Sequence, residues 1–292
     1  MNVKPIPSSE LIINDDGSVF HLHIKPEDLA DIVIMMGDPE RVHAISAFFD
    51  TIEVERQSRE FHTVTGTYKG KRITALSHGI GTDNIDIVMT ELDALANIDF
   101  WTRRPKKRHR RLKILRIGTC GAIQPDIPLG SFILSHISIG FDSVLNWYKD
   151  GEKIFLKDFE EAFVQHMDWP ERLGRPYFVR ASETLVQKFQ GWTCKGMTMS
   201  APGFYGPQGR SVRLALTIPD LVPKLESFEH EGYRVTNIEM ESSALAGLAA
   251  LMGHDATTVC LAIANRHIKE SEPNYKPLIA QLLWRSLETM IS

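Results

Sequence analysis

The 292-residue chain has only three cysteines, Cys120, Cys194 and Cys260. They are odd in number and far apart, which argues against a disulfide framework and for a reducing, cytoplasmic setting. They also lack the close pairs of a cysteine-ligated metal site. No apolar run approaches the ~20 residues of a membrane-spanning helix, so no membrane partner is expected. Met1 to Asp16 has neither the basic start nor the continuous apolar stretch of a secretory signal. There is no solenoid-period repeat, no low-complexity linker and no composition break. A single domain over residues 1–292 is therefore expected.

What is present is an ordinary globular composition, 43% hydrophobic and 24% charged, with a net charge of −4. The charge is unevenly spread. Arg103 to Lys113 holds eight Lys or Arg and no acid, while the remainder has 25 basic residues against 37 acidic ones, a balance of −12. No aromatic residue interleaves the run as a stacking platform would require. It reads as a solvated loop or helix end, and nucleic acid is not an expected partner.

Short β-branched runs recur, each ending in a Gly or polar turn. Ile32 to Met36 ends at Gly37-Asp38, Ile73 to Leu76 at Ser77-His78-Gly79, Ile114 to Ile117 at Gly118-Thr119, and Thr257 to Ala264 at Asn265-Arg266. Nearly continuous apolar strands imply a sheet covered on both faces. Between them lies helical periodicity. Ile85, Val88, Leu92 and Leu95 follow Asp83, a candidate N-cap. A second helix is expected from near Ile238, with Ala244, Leu245, Leu248 and Leu251 on one face. A third carries Leu278, Leu282, Leu283 and Leu287. The expected fold is a layered α/β sandwich with a mixed central sheet. Ile139 to Pro176 lacks clear periodicity and reads as excursions from the core.

In open α/β sheets, ligands gather at the carboxyl ends of strands. Two of the turns there combine Gly with Arg, Gly37-Asp38-Pro39-Glu40-Arg41 and Arg116-Ile117-Gly118-Thr119. Glycine lets a ligand approach the backbone, and arginine offers a bidentate fork to anionic oxygens. Glu241 falls at helical spacing with Ala244, Leu245 and Leu248. A carboxylate on an apolar face needs partners, either a structural arginine or ligand hydroxyls. Glu239, beside Ser242 and Ser243, reads as an ordinary polar-face residue.

Taken together, these segments resemble the type I nucleoside phosphorylases, and within them the uridine phosphorylases. The resemblance is carried by Arg116-Ile117-Gly118-Thr119-Cys120-Gly121-Ala122-Ile123-Gln124-Pro125, Gly37-Asp38-Pro39-Glu40-Arg41-Val42, Ser58-Arg59-Glu60-Phe61 and Asn237-Ile238-Glu239-Met240-Glu241-Ser242. The segments run in family order from about Phe20 to Asn274. On this footing residues 1–19 are an N-terminal extension and residues 102–113 a basic insertion.

The resemblance implies that Gly37, Arg41, Arg116 and Thr119 bind phosphate, with Arg59 reaching the phosphate of a neighbouring subunit. Glu241 would hold the ribose hydroxyls, with Met240 and Glu239 on the sugar side, and His21 would cross a dimer interface to the 5′-hydroxyl. Phe204, Gln208 and Arg210 would read the base. An amide donor and acceptor beside a pure donor suit uracil's acceptor–donor–acceptor edge. Asn265 stands where the purine branch uses a proton-donating Asp. The chain departs from the family at Met36, at Pro202-Gly203, at Gly206-Pro207 and at Gly209.

The implied reaction is uridine plus phosphate giving uracil and ribose 1-phosphate, with Arg116, Glu241 and Arg210 as the catalytic groups. No cofactor or metal is expected, although Glu60 matches one ligand of a monovalent cation site in some relatives, where Asn84 replaces a Ser. A homodimer or hexamer with shared sites is implied. The alternatives are a purine nucleoside phosphorylase and a non-catalytic nucleoside- or RNA-binding protein. Arg116→Ala is expected to cripple phosphate use and leave the fold intact.

Overall fold

The apolar runs form strands where the sequence places them. In a computed structural model describing residues 4–292, β1 (Ile32–Met36) leads into α1 (Pro39–Ser46). An antiparallel meander follows, β2 (Thr51–Ser58), β3 (Phe61–Tyr68) and β4 (Lys71–Ser77), and then α2 (Thr82–Asn97). A two-residue pair, β5 (Ile98–Asp99) and β6 (Arg104–Pro105), precedes the long β7 (Lys113–Ala122) and β8 (Phe132–Gly140). Next come α3 (Lys157–Met167), β9 (Tyr177–Arg180), α4 (Glu183–Phe189) and β10 (Cys194–Ser200). The chain finishes with α5 (Leu221–Ser227), β11 (Glu229–His230), β12 (Tyr233–Glu239), α6 (Ser242–Met252), β13 (Asp255–Asn265), β14 (Glu270–Ser271) and α7 (Lys276–Ile291).

The main sheet is mixed. Its order is β11-β12-β10-β8-β13-β7-β1-β4-β3-β2, with β9 on β8 and β14 on β13. β12 also returns to β7, pairing Asn237 with Ala122 and Ile238 with Gly121. Five strands, β7, β13, β8, β10 and β12, therefore close on themselves, and β1 to β4 extend from one side as an open sheet. β1 shows why its sequence is apolar throughout. Val33 and Met35 face one core with α2 and α6, while Ile34 and Met36 face the other with α1, α4 and α7. Alternate side chains point to opposite faces, so both layers must be apolar. Each fully buried aliphatic side chain contributes ~1.5–3 kcal/mol.

Several expectations need correction. Gly118 to Ala122 continue strand β7 rather than forming a turn, because β13 pairs with them as far as Asn265. Asp83 lies in the first turn of α2; the N-cap is Gly81 at φ 97°, a conformation that glycine adopts without strain. The second helix starts at Ser242, not near Ile238, since Ile238 and Glu239 belong to β12. The spacing of Ile238, Glu241 and Leu245 imitates a helical stripe across a strand-to-helix junction. Ile139 to Pro176 is an excursion, with most of its residues exposed or half-buried, but it contributes one packed helix. Phe159, Phe163 and Met167 of α3 form a third core with β8, β9, β10 and α5.

The basic run is not simply solvated. Arg103 donates to the carbonyls of Ile6 (2.7 Å), Pro7 and Leu11, tying down the N-terminal segment. Lys106 donates to Ala96 O at the end of α2 (2.9 Å), Arg110 to Asp31 (2.6 Å) and Arg111 to Asp255 (2.7 Å). Half of its eight cations thus cap backbone carbonyls or neutralise single acids. All three cysteines are free, and no helix among the described residues is long and apolar enough to cross a membrane.

Candidate active site

β1, β4 and β7 run parallel and in register, with Met35 beside Leu76 on one flank and Arg116 on the other. β1 and β4 stop one or two residues later, while β7 runs on. Arg116 therefore projects where its neighbours end. It is only 4% exposed, yet carries a full charge. That is tolerable only with dense pairing. One terminal nitrogen, Nη1, donates to Glu239 Oε2 at 2.8 Å, and Nη2 donates to Glu241 Oε2. Nε donates to His78 Nε2 at 3.2 Å. Gly118, two residues along the strand, leaves room for this fork. A Cβ there would lie 2.9 Å from one guanidinium nitrogen.

The two carboxylates differ in kind. Glu239 ends β12 and accepts the Glu241 N–H (2.9 Å), the Ser242 N–H and hydroxyl, and the Ser200 hydroxyl (2.5 Å). It satisfies backbone donors at the start of α6 and anchors the guanidinium at once. Burial works to raise its pKa, but Arg116 and these donors outweigh it and hold the carboxyl below the usual glutamate range. Glu241 sits at the N-cap position of α6 and accepts the Gly81 N–H at 2.8 Å. Burial, aided by the nearby Glu239 charge, pushes it up to about 7 despite Arg116. One guanidinium facing two buried carboxylates cannot fully compensate both, and Glu241 is the one pushed up.

His78 is fully buried. Burial, with the Arg116 charge beside it, pushes its imidazole well below the ordinary histidine range. Its Nε2 thus presents a lone pair to Arg116, which fixes the neutral tautomer. Arg41 acts electrostatically on the same ring and lies 3.9 Å from Asp38, the N-cap of α1. Gly37 lies against Gly79: a Cβ there would meet Gly79 O at 3.0 Å. The fold therefore gathers Gly37, Arg41, Arg116 and Glu241 around His78 and Gly81. Thr119 is half-buried farther along β7, and Met240 is half-buried between Glu239 and Glu241.

Two expected residues lie apart from this cluster. Arg59 is exposed at the β2–β3 tip with φ 53°, and among the described residues it has no polar partner. His21 is held elsewhere, by Glu91 of α2. The carboxylate takes the His21 ring Nδ1 at 2.7 Å and the His21 and Leu22 N–H groups at 2.9 Å each. Glu60 accepts the Asn84 amide at 3.1 Å.

The base-side residues occupy the loop after β10. Ser200 and Ala201 are both bonded to Glu239, so the loop departs from the charged cluster. Gln208 is buried in a short helical turn, and Arg210 donates to its side-chain oxygen and to Phe204 O (2.7 Å). The guanidinium lies 3.9 Å from the Phe204 ring centroid. Burial, with Arg266 nearby, lowers Arg210 to about 10. Arg266 reaches from the end of β13 to Gln208 O at 3.1 Å. Asn265 does not face this loop. Its amide donates to Gln124 O (3.1 Å) and Ile127 O (2.9 Å), and its oxygen accepts two backbone N–H groups. Beside the loop opens a largely apolar cavity of about 750 Å³, with Phe141, Trp169, Tyr205 and Leu214 among its walls. Of the expected site residues, only Arg210 lines it.

Sequence reasoning missed His78, Glu91, Ser200 and Arg266 as participants. His78 and Arg266 sat in turns already marked by Gly and Asn, so their position was legible even though their role was not. Glu91 carried no such signal.

The site thus sets a buried guanidinium at parallel strand ends between two carboxylates, one held low and one pushed up. The fold and site define an α/β enzyme class, and the chain belongs to the Phosphorylase superfamily, whose profile matches residues 31–288. It is 31% identical over 268 residues to the uridine phosphorylase of Thermococcus kodakarensis, covering 92% of this chain and 85% of that one. It is also similar, at 30% identity and a TM-score of 0.86, to a Trypanosoma brucei nucleoside phosphorylase described as having uridine phosphorylase activity. That match covers 96% of this chain and 99% of the other. A uridine phosphorylase of Phytophthora capsici shares the fold, at 21% identity and a TM-score of 0.68 over 96% of each chain.

Proposed function

We propose that this chain cleaves uridine with phosphate, giving uracil and ribose 1-phosphate. The observation that carries the reading is the buried Arg116–Glu241 contact, in a site where burial pushes Glu241 up to about 7. An arriving phosphate competes for Arg116, with Arg41 and the Gly37 backbone alongside. Glu241, released from the guanidinium, turns its oxygens to the ribose hydroxyls. Glu239 stays bonded to Arg116 and to the start of α6, keeping the fork in place. As the glycosidic bond lengthens, phosphate beneath the sugar stabilises the cationic anomeric carbon and then attacks it. Arg210 and Gln208 stabilise the departing uracil anion. Catalysis is positioning and electrostatics, without a covalent protein nucleophile.

The unpartnered Arg59 supports an assembly of at least two chains, in which it completes a neighbour's phosphate site and His21 reaches a neighbour's ribose. The enzyme acts in the cytoplasm, with no cofactor beyond phosphate as co-substrate. The test is to incubate the protein with uridine, deoxyuridine, inosine and adenosine, with and without phosphate, and to measure released base. Uridine cleavage that requires phosphate is expected. Equal rates without phosphate remove phosphorolysis, and comparable rates on inosine remove the pyrimidine reading.

A further inference from the structure

On the side of the open sheet covered by α1, three ligating side chains meet that the proposed reaction does not use. Gln57 of β2 pairs with His62 of β3. Glu55, two residues from Gln57, therefore lies diagonally across from His62 on the same face. His62 Nε2 is 2.9 Å from Glu55 Oε1. From above, α1 brings His43, whose ring centroid is 4.4 Å from that of His62. One ligand atom from each of His43, Glu55 and His62 lies within 4.8 Å of the others. His62 is fixed from behind, because it is 1% exposed and its N–H donates to Ser77 Oγ at 2.8 Å. His43 and Glu55 are exposed and give access from solvent.

We infer that His43, Glu55 and His62 form a binding site for a transition-metal dication of the zinc class. Two imidazoles and one carboxylate make a nitrogen-rich donor set that suits zinc, nickel or copper rather than magnesium or calcium, which take oxygen. Zinc bonds of about 2.0–2.1 Å to nitrogen place tetrahedral ligand atoms about 3.3 Å apart. The ligand atoms here, all within 4.8 Å of one another, bracket that spacing, with one pair at 2.9 Å. Three protein ligands leave a fourth position for water. The sequence conceals the site, since His43, Glu55 and His62 follow no familiar ligand spacing, and only the β2–β3 register and the seat of α1 join them. Its position has a consequence. The ion would clamp α1, which carries Arg41, to the hairpin whose tip carries Arg59.

The site is tested on the metal-stripped protein by titration with Zn2+ against a competing chelator. A Cys194→Ser background removes the one exposed thiol. One ion per chain is expected, bound at least tenfold more tightly than by His43→Ala. His43 is exposed, so its replacement should leave the circular dichroism spectrum unchanged. Glu55→Gln should fall between the two. Zn2+ should raise the Tm of the parent and not of His43→Ala. Co2+ should give the intense visible absorption of a four-coordinate ion. Parent and His43→Ala binding Zn2+ with equal affinity, or Mg2+ competing on equal terms, overturns the site. The inference does not depend on the proposed reaction, because every readout is binding or stability.

Discussion

In the proposed active site, the two halves are built on opposite principles. At the sugar–phosphate end, Arg116, Glu239 and Glu241 are each at most 5% exposed and are bonded to strands, helix starts and one another. At the base end, Phe204 is 51% exposed and Tyr205 60%, on a loop that opens onto a cavity. Charge must be positioned before a transition state forms, and rigid burial does that. Recognition of a flat base needs only a few polar contacts on an apolar wall, which a loop can supply. The chemistry is thus invested in the sheet, and the selectivity in a segment that can vary without disturbing it.

The comparison is broken most directly at Arg116. Arg116→Ala leaves two buried carboxylates without their cation, at a cost of about 3–5 kcal/mol in stability. Its phosphorolytic activity should fall by about 10²–10³-fold. The expectation that this change leaves the fold intact is therefore revised: urea unfolding should detect the loss. A well-folded variant of parental stability would show that the cluster does not bind the two ends of the site as argued.

Asn265 tests whether a side chain turned away from the base-side loop can take part in catalysis. An Asp there would set a carboxylate against Gln124 O and Ile127 O in place of two donated hydrogen bonds. Asn265→Asp should lose roughly 2–4 kcal/mol, and it should gain no activity on inosine. Purine cleavage by this variant, followed by base release, would mean that the side chain faces the substrate after all.

Arg210→Ala removes a charge-assisted contact at the loop rather than a structural hub. Uridine kcat/KM should drop by roughly 10–100-fold, for ~1.5–3 kcal/mol, with the thermal midpoint little changed. A large stability loss would place the loop with the rigid half.

The subtlest difference lies within the charged cluster. Glu241 titrates higher in the folded protein, at about 7, than the ordinary glutamate value of 4.5. The native state then binds more protons than the unfolded state, so its contribution is fully present below about pH 4.5 and is lost as pH rises through about 7. Glu241→Gln mimics the protonated form. Its unfolding free energy should fall less than the parent's between these values, and it should be the more stable protein above them. Glu239, held low, has the opposite sign: its contribution is present at neutral pH and lost only on strong acidification. Parallel pH–stability curves for parent and Glu241→Gln would remove the asymmetry.

Much of this arrangement was legible residue by residue. The continuous apolar runs gave β1, β4 and the start of β7, because strands covered on both faces leave no room for polar alternation. Gly37-Asp38 marked the end of β1, whereas Arg116-Ile117-Gly118 pointed to a strand end that β7 runs past. Glu241 was singled out for the right reason, an acid among apolar neighbours. Its location was misread, because a strand-to-helix junction can reproduce helical spacing. From its neighbours alone Glu239 read as a polar-face residue, and only the resemblance placed it near the sugar, whereas Ser242 and Ser200 are its buried donors. The basic run hid its role for a similar reason. Cations that cap distant carbonyls look the same in sequence as cations in water.

The sequence by itself determined the α/β layering, the turns after β1 and β4 and the chemical types available at them. Those follow from short-range rules: periodicity, glycine's freedom and the hydrogen-bonding inventory of each side chain. The tertiary structure alone decided which carboxylate is held low and which is pushed up. It also decided that His78 is a neutral acceptor, that Glu91 restrains His21, and that His43 meets His62. Those outcomes depend on burial and on partners far apart along the chain. Arg116 and Glu241, for example, are 125 positions apart yet directly bonded. A residue's acidity and role are set by what surrounds it in space, and chain order does not record that.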